Sequence, residues 1–233
     1  MTIYLHAGTH KTGSKSFQAM IADNTEALRL LDYDVFEGSH RNPRNHTELH
    51  LASLRLDRDS FAKHNWPDLQ LGAEYERNVS VKVQSFLSRS NTNHQIFTNE
   101  DLSYLRHEDE FLRLRHLFGQ AGQDFVVVLV FRKPADFLRS YRVQLLKKPG
   151  RVPSDDPTSA LYVEEDSWLL DFNALVRGFR DHFHATVRIV DYDGATAAEG
   201  SVLPALLRAM DINPDALDSA KYRLNVSPKT IPG

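Results

Sequence analysis

The chain has 233 residues and a mass of 26.6 kDa, with 41% apolar and 25% charged residues and a net charge of -3. That suits one domain able to bury about 70% of the surface its unfolded chain exposes, and the acidic balance argues against a general binder of nucleic acid or anionic membrane. Without cysteine there is no disulfide framework, thiolate metal site, iron–sulfur cluster or cysteine nucleophile. No run of about 18 apolar residues is present, so no transmembrane helix is expected. Met1-Thr2-Ile3-Tyr4-Leu5-His6 reads as a first strand rather than a signal peptide. A cytoplasmic chain is therefore expected, with the Asn-x-Ser/Thr triplets at Asn45, Asn78 and Asn225 as chance occurrences.

Strand-like and helix-like segments alternate. Thr2 to Ala7 reads as a strand, and Phe17, Met20, Ile21, Leu28 and Leu31 recur at helical spacing. Tyr33 to Phe36 reads as a second strand. After a polar loop from Glu37 to Thr47, Leu49, Ala52 and Leu56 suggest a short helix. Tyr75, Val79, Val83, Phe86 and Leu87 mark another helix, Gln95 to Thr98 a strand, and Phe111, Leu114, Leu117 and Phe118 a helix ending near Gly119. Phe125 to Phe131 is a continuous apolar run rich in valine, the pattern of a strand buried on both faces of a parallel sheet. Pro134 opens a helix with Phe137, Leu138, Tyr141 and Leu145 inward. A basic loop from Lys147 to Pro157 follows. Leu169, Phe172, Val176, Phe179 and Phe183 predict one further helix, Val187 to Val190 a strand, and Leu203, Leu206, Leu207 and Met210 a last helix. The alternation predicts a three-layer α/β fold with a central, mainly parallel sheet, in which ligands bind at the carboxyl ends of strands.

The first strand runs into Gly8-Thr9-His10-Lys11-Thr12-Gly13-Ser14-Lys15-Ser16 and then a helix. Glycines let the backbone turn its N–H groups inward, and the helix N-terminus adds the positive end of its dipole, so the segment can hold a phosphate-like anion. Gly8 and Gly13 have the spacing of a Walker A loop, but the lysine comes one place late, at Lys15. A tight strand–helix turn with solvated lysines is the plainer reading of the same residues.

The segment from His10 to Ser14 resembles the 5′-phosphosulfate loop of sulfotransferases that use 3′-phosphoadenosine-5′-phosphosulfate. The opening from Ile3 to Gly13 is similar to the bacterial branch of that family. Lys15 departs from the pattern, standing where the family has a second threonine. After the long apolar run, Arg132 and Ser140 lie eight residues apart, similar to the family's 3′-phosphate motif. Phe97-Thr98-Asn99-Glu100-Asp101-Leu102-Ser103 resembles its Ser-Glu-Asp-Leu-Ser segment, and Asn225-Val226-Ser227 resembles its closing segment less sharply.

The resemblance implies a P-loop-like fold in one domain over residues 1–233, and a sulfotransferase acting on a hydroxyl or amine of a carbohydrate or small molecule. It implies a donor site from His10, Lys11, Thr12, Gly13, Ser14, Lys15, Ser16, Arg132 and Ser140, with adenosine 3′,5′-bisphosphate as product and no metal. Lys11 is the expected catalytic cation, and His46 or Glu100 the base, His46 placed slightly ahead. A P-loop kinase or nucleotide hydrolase, and a non-catalytic nucleotide-binding module, are the alternatives.

Two readings come from composition. Seven basic residues stand between positions 132 and 151 (Arg132, Lys133, Arg139, Arg142, Lys147, Lys148, Arg151) against one acid, Asp136, which suggests an anionic ligand. Three of the eleven histidines lie between His40 and His50. His46 and His50 are four apart, but no Glu-x-x-His arrangement supports a metal. His40 and His50 are expected at the surface, and His6 and His10 as hydrogen-bonding residues of the first loop.

Overall fold

The computed structural model describes residues 1–40, 42–119, 122–147 and 152–222. Its elements, in order, are β1 (Thr2–His6), α1 (Ser14–Asp23), α2 (Thr25–Leu30), β2 (Tyr33–Val35), α3 (Thr47–Ser53), α4 (Phe61–Asn65), α5 (Ala73–Arg89) and β3 (His94–Thr98), followed by α6 (Glu108–Leu117), β4 (Asp124–Phe131), α7 (Pro134–Leu146), α8 (Phe172–Arg177), β5 (Thr186–Asp191), α9 (Tyr192–Glu199) and α10 (Leu203–Arg208). Among the described residues the strands form one parallel sheet in the order β2-β3-β1-β4-β5. No helix among them is long and apolar enough to cross a membrane.

The apolar run in β4 fills both cores, as its sequence requires. Phe125, Val127 and Leu129 enter one, packed with Leu49, Val83, Phe111, Phe137 and Leu175 from α3, α5, α6, α7 and α8. Val126, Val128 and Val130 enter the other, with Phe17, Leu28 and Leu206 from α1, α2 and α10. The two-residue side-chain period of a strand makes this division. β1 lies between β3 and β4; its end at His6 is level with the end of β3 at Thr98, while β4 runs on from Val128 to Phe131 beside the loop that follows β1.

The structure differs from the sequence reading in several elements. The helix expected over 169–183 is broken: a 3-10 turn spans Trp168–Leu170, Asp171 then caps α8 by accepting the Ala174 N–H at 2.8 Å, and a π turn covers Gly178–His182. The run expected over 17–31 divides at Asn24 into α1 and α2. Leu56 lies beyond α3 and is exposed. α9 has no apolar stripe to announce it, since none of its residues is buried. The Asn225 segment, Lys148 and Arg151 lie outside the described residues.

His50 is a correction. It is buried, not exposed, with Nε2 2.8 Å from the Ser60 hydroxyl. His40 is half-buried and reaches the Tyr75 hydroxyl at 2.7 Å. Burial favours the neutral ring, and it pushes His6 and His46 down to about 3 and His50 to about 4. The unfolded chain then binds protons that the folded one refuses as pH falls through the ordinary histidine range. Stability is fully present above about pH 6.5 and is lost below it, by up to ~1.4 kcal/mol per pH unit for each ring. Urea unfolding at pH 7.5 and 5.5 is expected to give the lower midpoint at pH 5.5.

Candidate functional site

The loop after β1 begins as a continuation of the sheet. Ala7 and Thr9 donate N–H bonds to the Val128 and Val130 carbonyls at 3.0 and 2.9 Å, and Val130 donates to the Gly8 carbonyl. The chain then turns through left-handed backbone at Gly8 (φ 80°), Lys11 (φ 64°) and Gly13 (φ 87°). Gly8 has no substitute here, because a Cβ would stand 2.9 Å from the Cα of Glu100. At Gly13 a Cβ would meet Val202 at 2.7 Å. The Thr12 hydroxyl closes the loop by donating to the Thr9 carbonyl. Gly13 is the N-cap of α1 without a side-chain bond, and the first turn of α1 carries no acid. Its first amides therefore have no acceptor within the helix. The Ser14 hydroxyl is buried with no partner. This is a cradle of donors with a helix dipole behind it, fit for an anion.

Arg132 leaves the carboxyl end of β4 and turns toward this loop. Its Nη1 lies 3.2 Å from the Ser140 hydroxyl and 3.5 Å from the Lys11 carbonyl. Its Nε is 3.7 Å from Asp193, and its guanidinium lies 5.1 Å from the centre of the Tyr192 ring. Ser140 donates its own proton to the Asp136 carbonyl at 2.9 Å, leaving its oxygen to accept from Arg132. Lys11 is half-buried, and burial together with the charges of Lys147, Lys15 and Arg132 lowers its ammonium pKa. The other cations of the basic stretch differ. Lys133 and Arg139 are exposed, and Arg139 pairs with Asp136, while Arg142 pairs with Glu164 at 2.9 Å.

The two expected bases sit differently. Glu100 opens a 3-10 turn, Glu100–Tyr104, against Gly8. Gln18 of α1 donates to its carboxylate at 2.7 Å. Burial and the charge of Asp101 raise Glu100 above the usual carboxylate range. Burial would raise Asp101 as well, but the close approach of His10, at 3.2 Å, brings it below the usual range. Two adjacent carboxyls are thus driven apart in acidity, the pattern that separates acid from base roles in one site. His46 is the N-cap of α3. Its Nδ1 accepts the Thr98 N–H at 3.0 Å, and its ring meets Phe36 and Phe97 edge-on. His6 bonds the Thr98 hydroxyl at 2.8 Å, not the loop, and His10 stands 3.2 Å from Asp101.

Tyr192 and Asp193 escaped the sequence reading. Their signal was available, since they directly follow β5 at the carboxyl edge of the sheet. Cavities of about 410 and 350 Å3 flank Phe36 beside β2 and share Arg29, Val35 and Glu37, and His46 lines the smaller one. Among the described residues no group of three or more His, Asp or Glu side chains is placed to hold a metal ion.

No protein-family model matches the chain, and no curated protein matches it. Among solved structures it is similar to the crystal structure of a sulfotransferase from Alicyclobacillus acidocaldarius, with a TM-score of 0.57 and 14% sequence identity, over 97% of this chain and 86% of that one. The layers and the sheet correspond while few side chains do. The chain adopts the sulfotransferase fold.

Proposed function

We propose that this protein is a sulfotransferase that moves a sulfonate from 3′-phosphoadenosine-5′-phosphosulfate to a hydroxyl or amine of a carbohydrate or small-molecule acceptor, working as one domain over residues 1–233 in the cytoplasm. The observation that supports this best is the pairing of Arg132 with Ser140 beside the Lys11 carbonyl, which sets a second anion site next to the first loop. Two anion sites on neighbouring strand ends suit a nucleotide phosphorylated at both 3′ and 5′ positions. The donor loop in this reading runs from His10 to Ser16, with the buried His10 ring turned inward and the donor met by Lys11, Thr12, Gly13, Ser14, Lys15 and Ser16. The unpartnered hydroxyl of Ser14 and the first amides of α1, which have no acceptor within the helix, would take the 5′ end.

The acceptor oxygen attacks sulfur, the bond from sulfur to the bridging oxygen breaks, and its electron pair leaves with the 5′-phosphate. Lys11 neutralises that growing charge, as cations do in phosphoryl transfer. The acceptor's proton goes to a base. The geometry favours Glu100 over His46, reversing the order read from the sequence. His46 already spends Nδ1 on Thr98 and its basicity is pushed down to about 3, whereas Glu100 lies on the loop with raised basicity.

Calorimetry tests the donor site. Adenosine 3′,5′-bisphosphate is expected to bind more tightly than ATP with magnesium, and Arg132→Ala to weaken it by about 2–4 kcal/mol, the scale for losing one partner of a desolvated charge contact. Tighter binding of ATP would point to a kinase or hydrolase instead.

Steady-state kinetics test Lys11. Lys11→Ala is expected to lower kcat far more than donor affinity, because its contact strengthens in the transition state. Lys15→Ala is expected to do less, since Lys15 is exposed. Equal losses would mean that Lys15 faces the transferred group.

The base is read from pH profiles. Glu100 must be ionised to accept a proton, so kcat/KM is expected to fall with decreasing pH through a limb above the ordinary carboxylate value of about 4.3. Glu100→Gln is expected to remove that limb and lower kcat by about 100-fold or more. His46→Gln is expected to cost less; the opposite ranking would restore His46 as base.

A further inference from the structure

The transfer scheme leaves one buried ionisable pair without a task. His10 Nε2 stands 3.2 Å from Asp101 Oδ1, and the two side chains are only 6% and 9% exposed. The His10 ring packs against Tyr104, Tyr141 and Phe61, with centroids 5.0, 5.6 and 5.8 Å away. The Tyr104 and Tyr141 hydroxyls bond each other at 2.5 Å, and Tyr141 also donates to the Ala160 carbonyl at 3.1 Å. The histidine therefore points into the protein, away from any nucleotide in the cradle. The next residue, Lys11, holds a left-handed backbone (φ 64°) that residues with side chains avoid. Such a conformation persists only where the surroundings fix it. On its far side Thr12 and Gly13 do so through the hydroxyl bond to Thr9 and the turn into α1. On its near side Thr9 is held to the Val130 carbonyl by amide and hydroxyl, and between Thr9 and Lys11 the side chain that is locked in place is that of His10.

Resting on the sulfotransferase reading, we infer that His10 and Asp101 are a positioning pair, which fixes the backbone of Lys11 so that its ammonium stays over the transferred group. The pair touches no substrate and acts through Lys11. It also ties the loop to α7, since Tyr141, packed on His10, follows Ser140 of the Arg132 site. One buried cluster thus spans the supports of both anion sites.

The first test needs no turnover. Lys11 is half-buried with Lys147, Lys15 and Arg132 acting on it, which lowers its titration. Carbon-13 methylation of the lysines, with Lys11→Arg for assignment, lets NMR follow that amine. In His10→Ala the Lys11 titration is expected to move up toward that of an ordinary lysine. In His10→Gln, whose amide nitrogen can reach Asp101, it is expected to stay near wild type. The second test is kinetic: His10→Ala is expected to lower kcat by about 100-fold, the scale of a small misplacement of a catalytic group, with adenosine 3′,5′-bisphosphate affinity within about threefold and substantial rescue in His10→Gln. A folded His10→Ala protein with unchanged Lys11 titration and kcat would overturn the inference. So would parallel losses of kcat and affinity, which would make the pair a support of the whole loop. Should His10→Ala fail to fold, Asp101→Asn is read by the same measurements and the same outcomes decide. If the wild-type protein transfers no sulfonate, the functional reading fails while the Lys11 titration still judges the pair.

Discussion

The carboxyl edge of this sheet is built on the absence of a side chain at Gly8. Only a glycine allows the loop after β1 to rest on the backbone of Glu100, where a Cβ would come within 2.9 Å of the Glu100 Cα. That contact brings the loop and the turn after β3 into one unit. Gln18 then reaches the Glu100 carboxylate, and His10 reaches Asp101. The opposed shifts of the two carboxyls follow from this packing: burial and the charge of Asp101 raise Glu100, whereas His10 outweighs burial at Asp101. A larger residue at position 8 would separate these groups as well as distort a turn.

The second organising feature is unbalanced positive charge. Burial, together with the nearby charges of Lys147, Lys15 and Arg132, depresses the Lys11 ammonium. Asp193 offsets part of this field beside Arg132, at 3.7 Å. An anion in the cradle would relieve the repulsion, so binding energy is available before any specific hydrogen bond forms. Arg132 is held for that purpose by Ser140 and the Lys11 carbonyl, with the Tyr192 ring against its guanidinium.

Behind the site, buried polar groups hold irregular segments in place. Arg58 and Arg106 both lie over the Trp168 ring, at 5.0 and 4.9 Å. Glu110 accepts from Arg58 and from the amides of Arg55, Arg106 and His107. The Lys63 ammonium binds the carbonyls of Arg55, Leu56 and Arg58. On the β2 side, Glu48 takes the amide and hydroxyl of Ser39. Buried charges cost heavily unless paired, so each fixes one arrangement of the loops it touches.

The sequence by itself determined the layer order and the place of the loop. An uninterrupted apolar run at Phe125–Phe131 can only be a strand covered on both faces, and two glycines between a strand and a helix define a turn that exposes amides. Arg132 and Ser140 were legible because one directly follows a strand that its apolar run marks and the other stands on the helix after it. Tertiary structure decided what spacing cannot encode. Whether His50 faces water or Ser60 depends on which side of α3 meets the core. Whether His46 is an available base depends on the Thr98 amide that occupies it. α9 was invisible because it buries no residue and leaves no periodic stripe, although Tyr192 and Asp193 at its start complete the surroundings of Arg132. The acidity of Glu100 against Asp101 depends on which neighbour each meets once β1 and β3 lie side by side, since burial and charge act through distance in space and not along the chain.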